Sequence, residues 1–327
     1  MFHTINRKSK RREINTIGYD SLYSSVQLGE FSGDVFVKNE FPFETLGKFV
    51  EFLGHCDGLV YFWSDHRRLF FLWNPATKEY KIIPNPRENK YDILVCGLGY
   101  DCKIGEYKLI IVWRLRETNK DRCLFEVYTL GTNLNLCKSS HAEIDIVLGG
   151  RASGVLASGA LHWPAIKRSR SKFIFSLDIR DDKWKELEPP KEVPENKSLW
   201  MKLGVLEGLL CVLDGDHQGQ LGVWVMQDYG IQELWTKPYT ITHEKVMKYK
   251  YYATSKLIWS FKNGEILFMS IGGDKLVLYD PKYKSAREIS MAHTDLTSVV
   301  NYSESLVSVN SGTYVGGNQE NQKDDSV

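Results

Sequence analysis

The chain has 327 residues, 43% of them hydrophobic and 13% aromatic, enough for one large core or two ordinary domains. Its 42 Lys and Arg against 41 Asp and Glu leave a net charge of +1, which excludes a global electrostatic drive toward nucleic acid or anionic membrane. The six cysteines (Cys56, Cys96, Cys102, Cys123, Cys137 and Cys211) form no C-x-x-C pair, and a chain this long needs no disulfide staples.

The N-terminal "MFHTINRKSKRREINT" lacks the apolar run of a signal peptide. No stretch offers the ~18 consecutive apolar residues of a membrane span. A reduced, soluble protein is expected, cytoplasmic and/or nuclear. Residues 1–12, with "RKSKRR" at Arg7–Arg12, read as a basic solvated lead. Residues 13–315 read as one β domain, and residues 316–327, "GGNQENQKDDSV", as a disordered polar tail.

Strand-like runs then follow one another along the chain. "NTIGYDSLYSSVQL" comes first, in the N-terminal flank. "GLVYFW", "LFFLW", "YKLIIVW" and "LFEVYTL" follow, then "FIFSLDI", "LLCVL", "GVWVM", "ILFMSI" and "KLVLYD", and "SLVSVNSGTYV" comes last. They are rich in Val, Ile, Phe, Tyr and Trp and are bounded by Gly, Asn, Asp and Pro, the marks of strands and turns. The nearest approach to a helix is "EKVMKYKYYATSK" at 244–256, whose tyrosines suit a strand as well.

The runs recur as a unit. A glycine opens an apolar strand, a polar loop leads to a second apolar strand, an Asn-Pro or Asp-x turn follows, and a third strand closes. The opening glycines are Gly58, Gly105, Gly159, Gly208 and Gly264, spaced 47, 54, 49 and 56 residues apart. A period near 50 is that of a kelch-type β-propeller with one four-stranded blade per repeat. Tyr80, Trp184, Trp235 and Arg287 fall at matching places in four units. The five units run from about residue 56 to 290. An open ring would expose sheet edges, so the flanks are expected to share a sixth blade, with a seventh as the alternative. Residues before Phe52 are expected to pair near Leu306–Val309. In "QDYG" at 227–230, Gly230 is expected at positive φ.

The segments "CDGLVYF…LWNPATKEYKIIPNP", "LGYD…YKLIIVW", "GVLASGALHWPA", "FSLDIRDDKWKELEPP" and "WVMQDYGIQELWTK" come in a fixed order. Together they resemble the F-box-associated (F-box/kelch-repeat type) domain of plant F-box proteins, over about Tyr19–Tyr314. The resemblance implies a non-enzymatic substrate-recognition propeller of a cullin–RING ubiquitin ligase. The family's N-terminal F-box would engage a Skp-type adaptor. No F-box pattern precedes Tyr19 here, so an adaptor is expected as partner only if an F-box lies upstream. A truncated decoy that binds substrate without recruiting ligase is a further alternative.

No G-x-S-x-G, H-E-x-x-H, P-loop or G-x-G-x-x-G stretch occurs, and "GRASG" at 150–154 reads as a blade-to-blade turn rather than a nucleophile elbow. His55, Cys56, His162 and His217 match no metal-ligand spacing, so no metal and no cofactor are expected. Asp57, Asp178 and Asp280 sit at turns of separate units, where Asp caps the backbone, rather than pairing for glycoside chemistry. Trp73, Trp163, Trp184, Trp224 and Trp235 recur with the repeat and read as core. An enzyme acting through the central channel, a hydrolase or lyase, is the alternative function. The partner, an unidentified substrate protein, is expected on the loops between the first two apolar runs of each unit. The residues there are Trp63, His66, Arg67, Arg68, Arg116, Lys167, Arg168, Arg170, Asp214 and His217. Their mixed charge favours an oriented protein over nucleic acid or membrane.

Overall fold

The computed structural model describes residues 2–6, 12–31, 36–38, 50–64, 68–84, 91–115, 122–131, 137–143, 146–148, 152–167, 169, 171–193, 201–215, 220–241, 255–270, 275–291 and 294–310. The chain opens with β1 (Phe2–Asn6) and β2 (Arg12–Thr16), helix α1 (Tyr19–Leu28), β3 (Glu30–Phe31) and β4 (Val37–Lys38). Blade one is β5 (Val50–Cys56), β6 (Leu59–Ser64), β7 (Leu69–Trp73) and β8 (Tyr80–Pro84). Blade two is β9 (Tyr91–Asp101), β10 (Glu106–Leu115), β11 (Arg122–Thr129) and β12 (Cys137–Glu143). Blade three splits its first strand into β13 (Ile146–Leu148) and β15 (Val155–Ala157), with β14 (Ala152–Ser153) between them. It continues as β16 (Ala160–Lys167), β17 (Lys172–Asp178) and β18 (Lys183–Leu187). Blade four is β19 (Lys202–Leu206), β20 (Leu209–Gly215), β21 (Leu221–Met226) and β22 (Trp235–Ile241). Blade five is β23 (Ser255–Ser260), β24 (Ile266–Ser270), β25 (Lys275–Asp280) and β26 (Ser285–Met291), and β27 (Thr294–Val299) follows.

The architecture is an all-β propeller. Five blades are antiparallel runs of successive strands, one per repeat. The count is therefore five blades rather than the six, or seven, expected: the two flanks form a further sheet in the order β27-β1-β2-β4, which is not a run of successive strands. The flanks therefore meet, but with a different partner strand from the one expected. β1 pairs with Thr294–Val299, and the segment Ser305–Val309 packs on blade one instead. Residues 2–6, expected as part of a solvated lead, form β1, because the sheet needs a strand between β27 and β2. Arg7–Arg11 and residues 311–327 lie outside the described residues.

The second and third strands of the blades are buried on both faces, which is why their sequences are continuous apolar runs, whereas outer strands such as β18, β22 and β26 are largely exposed. In β6 every residue is buried. Leu59, Tyr61 and Trp63 enter the cluster shared with blade two, while Val60 and Phe62 enter the cluster shared with the flank sheet. The two-residue period of the strand sends alternate side chains into the two neighbouring gaps. Further clusters fill the gaps between blades two and three around Trp163, three and four around Trp224, and four and five around Phe268. The gap between blade five and the flank sheet includes Val26 and Phe31 from the N-terminal flank.

That flank contains α1, which the residue types do not announce. "YDSLYSSVQL" carries strand formers, yet Leu22, Tyr23 and Val26 pack with Ile258, Phe261 and Leu267 of blade five. Tertiary packing of one face overrides propensity here. Arg287 also departs from its expected equivalence. Tyr80, Trp184 and Trp235 each pair with the residue just before their turn, at Trp73, Leu177 and Met226. In blade five that place is Ala286, opposite Tyr279, and Arg287 instead donates to the Val26 carbonyl of α1 at 3.0 Å. Of the helix candidate at 244–256, only Ser255 and Lys256 are described, and both belong to β23.

Candidate functional site

Antiparallel succession puts the first and third turns of every blade at one end of the strands and the middle connection at the other. The first end is built from tight, capped turns. Asp57–Gly58, Ser158–Gly159 and Glu207–Gly208 are two-residue turns with both residues at positive φ, the hairpin geometry that matches strand twist. This is what the recurring glycine marks. Gly58 at φ 80 also has Ser305 pressed against it, so a Cβ there would lie 2.4 Å from the Ser305 Oγ. The third turns of blades one, three and five are closed by side-chain caps. Asn74 Oδ1 accepts from the backbone N–H groups of Ala76 and Thr77. Asp178 does the same for Arg180 and Asp181, and Asp280 for Lys282 and Tyr283. Asp178 and Asp280 are thus turn caps, as their positions suggested. Asp57 differs: its own φ is 44 and its carboxylate accepts from the Tyr107 hydroxyl of blade two at 3.1 Å.

Polar contacts between blades brace this end. Lys108 of blade two, almost fully buried, pairs with Asp101 at 2.8 Å and with Asp182 of blade three at 2.7 Å. Lys103 pairs with Asp181. In "QDYG", Gly230 has φ 88, and the Tyr229 hydroxyl crosses to blade three, meeting His162 Nε2 at 2.9 Å and Ser176 Oγ at 3.0 Å. Burial pushes His162 down to about 4 from 6.5, so its imidazole is neutral at physiological pH. The stretch carries no catalytic group, and its tyrosine ties two blades together.

The inner strands meet around the axis. β5 lies against β9, β15 against β9 and β19, β19 against β23, and β27 against β5. β14 adds a short parallel pairing to the inner edge of β9, where the Ser153 Oγ lies 2.6 Å from the Tyr61 hydroxyl. Of "GRASG", Ala152–Gly154 are described; they lie between the two halves of blade three's first strand rather than at a blade-to-blade turn, because β13 and β15 both pair with β16. On the other side, the Lys256 Nζ of β23 donates to the Val299 carbonyl of β27 at 3.0 Å, and burial lowers its pKa to about 8. His55 Nε2 and Asn301 Oδ1 are 2.9 Å apart, and burial holds His55 down to about 4. Lys256 and His55 thus grip the flank sheet from both neighbouring blades.

At the mouth of this channel, on the tight-turn end, lies a cleft of about 420 Å³. Its walls are β19 and its turn (Val205, Glu207), β23 and its turn (Leu257, Trp259, Lys262) and Asn301. Glu207 and Lys262 are exposed. The indole Nε1 of Trp259 is buried and has no hydrogen-bond partner.

The sequence-predicted partner residues belong to the other end. The connections that carry or border them join β6 to β7, β10 to β11, β16 to β17 and β20 to β21, always the second strand to the third, as β24 to β25 is joined in blade five. His66, Arg67, Arg116, Arg168, Arg170 and His217 lie outside the described residues. Trp63 does not belong in that set. It is 2% exposed, packed between Phe70 at 4.8 Å and Trp113 at 6.3 Å, because it points into the gap between blades one and two. Arg68 is half-buried at φ 53 and Asp214 is half-buried. Lys167 is exposed at its tip, paired with Glu186 at 2.6 Å and set over the Phe173 ring at 5.3 Å. Trp73, Trp163, Trp224 and Trp235 are buried and Trp184 stacks on Phe175 at 4.4 Å, so the repeat-locked tryptophans are packing residues. Among the described residues no group of three His, Cys, Asp or Glu side chains is arranged to hold a metal. Also among them, no helix is long and apolar enough to cross a membrane.

The cleft residues were missed by sequence reasoning. Val205, Glu207, Trp259, Lys262 and Asn301 come from separate strands and turns, and no local pattern marks them.

Residues 48–309 match the model of the F-box associated beta propeller domain. An F-box/kelch-repeat protein of Arabidopsis thaliana is 28% identical over 235 residues, covering 70% of this chain and 61% of the relative. The F-box protein CPR1 of the same plant is 27% identical over 260 residues, covering 72% and 62%. The chain thus spans about three fifths of the length of these curated relatives. Among solved structures, a virginiamycin B lyase from Staphylococcus aureus matches with a TM-score of 0.45 and 12% identity, covering 85% of this chain and 77% of that one.

Proposed function

The chain belongs to the F-box associated beta propeller family, and from that premise we propose that it is a non-enzymatic substrate-recognition module of a cullin–RING ubiquitin ligase. Its relatives are named as F-box proteins, and the matched region is the propeller rather than an adaptor-binding segment. The observation that carries the reading is the packing of the matched region: five blades and a flank sheet with filled gaps and a braced, capped turn end. A rigid scaffold presenting varied surface groups is how such folds recognise partners. Recruitment of a Skp-type adaptor would come from an F-box joined to this domain. The partner is a protein, with no nucleic acid and no membrane, and the site of action is the cytoplasm or nucleus.

The test is to fuse the chain to an F-box of known adaptor affinity and express it in plant cells. Protein half-lives are then compared with and without the propeller. Accelerated, proteasome-dependent loss of a protein that also binds the purified chain is the expected result. Binding partners whose half-lives do not change would contradict the degradation role.

A further inference from the structure

We propose that the channel-mouth cleft binds an extended peptide segment of the partner protein, with a basic side chain against Glu207 and an acidic one against Lys262. The inference rests on the recognition reading above and gives it a place and a chemistry. It moves the partner from the middle connections to the opposite end of the ring.

Four observations converge. The cleft, about 420 Å³, lies in the size range of ligand sites, and is walled by two neighbouring inner strands and Asn301. Its polar groups are unspent. Among the described residues Glu207 and Lys262 make no ion pair or hydrogen bond, and the Trp259 indole N–H is buried without an acceptor. The walls are held: Glu207–Gly208 is a two-residue turn, Asn301 is fixed by His55, and Trp259 packs beside Tyr19 at 6.1 Å. Finally, the same end of the strands exposes apolar side chains at blades one and two. Tyr100 and Ile104 lie in and beside the first turn of blade two. Leu306 lies in the segment whose Ser305 caps the turn of blade one. Exposed Tyr and aliphatic groups at the same end as a charged cleft fit a peptide chain. The paired opposite charges, Glu207 and Lys262, disfavour a polyanion.

The experiment pans a displayed random-peptide library against the intact chain and resynthesises the selected peptides. Glu207→Lys and Lys262→Glu are each expected to weaken binding roughly ten-fold, with unchanged thermal midpoints, since both side chains are exposed. Exchanging the basic residue of a selected peptide for an acidic one is expected to restore binding to Glu207→Lys. The milder Glu207→Gln and Lys262→Gln stand in if a reversal fails to fold. Peptides whose binding ignores all four substitutions overturn the proposal. If binding is lost only in an Arg168→Glu, Arg170→Glu double variant, the site is elsewhere and the recognition reading stands. If no peptide binds better than its scrambled sequence, the cleft proposal falls, while the recognition reading is judged by the half-life experiment.

Discussion

At one end of the strands the chain reverses in as few as two residues, as at Asp57–Gly58, while at the other it passes from blade to blade over longer stretches, such as residues 242–254 between β22 and β23. The tight end is stitched across blades by the Tyr229–His162, Lys108–Asp182 and Tyr107–Asp57 contacts. The described part of the loop end shows local pairings instead, such as Lys167 with Glu186 of the same blade. The difference teaches where geometry is fixed before a partner arrives. A preorganised surface loses less conformational entropy on binding, which is the ground for proposing recognition at the braced end. It also carries both the channel-mouth cleft and exposed apolar side chains.

The comparison breaks first if the gaps between blades do not carry the stability. Trp163 is fully buried between blades two and three and donates to the Cys96 carbonyl at 3.0 Å. Trp163→Ala is expected to cost about 3–5 kcal/mol in urea unfolding. A loss under ~1 kcal/mol would mean that this gap does not contribute to the cooperative ring.

Acid should act mainly on the tight end. His55 and His162 are both held near 4 by burial, while in the unfolded chain they titrate near 6.5. Between those values the unfolded chain binds more protons, so stability present above pH 6.5 is lost as pH falls toward 4, by at most about 3 kcal/mol per histidine. Denaturation midpoints from pH 7 to 4 should fall, and His162→Gln should flatten the curve. An unchanged slope in that variant would remove His162 from the account.

Asn74 holds the C-terminal segment at the same end. Its Nδ2 donates to the carbonyls of Ser305 at 2.9 Å and Val307 at 2.7 Å, while its Oδ1 caps the turn. Asn74→Ala should cost about 1–3 kcal/mol and speed hydrogen exchange near Val307 and Val309. Exchange unaltered there would show that the segment is held by other contacts. The smallest effect belongs to the loop end. Lys167→Ala removes an exposed ion pair and should change stability by no more than about 0.5 kcal/mol. A larger loss in calorimetry would make that end as integral as the other.

Much of the ring is legible in the residues because each blade repeats one solution. The glycine that permits a two-residue turn, the uninterrupted apolar run and the Asn or Asp cap recur about every fifty residues, as at Gly58, Val60–Trp63 and Asn74. Legibility fails where the cause is not local. α1 forms because its Leu22–Val26 face meets blade five. β27, "TDLTSV", is too polar to announce a strand, so the more apolar Leu306–Val309 drew the pairing in its place. Trp63 resembled a loop-border aromatic, but strand alternation turns it into the core. The cleft joins Glu207, Trp259, Lys262 and Asn301 only after the ring closes.

The most direct measurement is hydrogen–deuterium exchange of the intact chain with and without a peptide selected from the library. The account predicts new protection at 205–208 and 257–262, with the middle connections unchanged. Protection confined to residues 65–68, 116–121 and 168–171 would contradict it and return the recognition surface to the loop end.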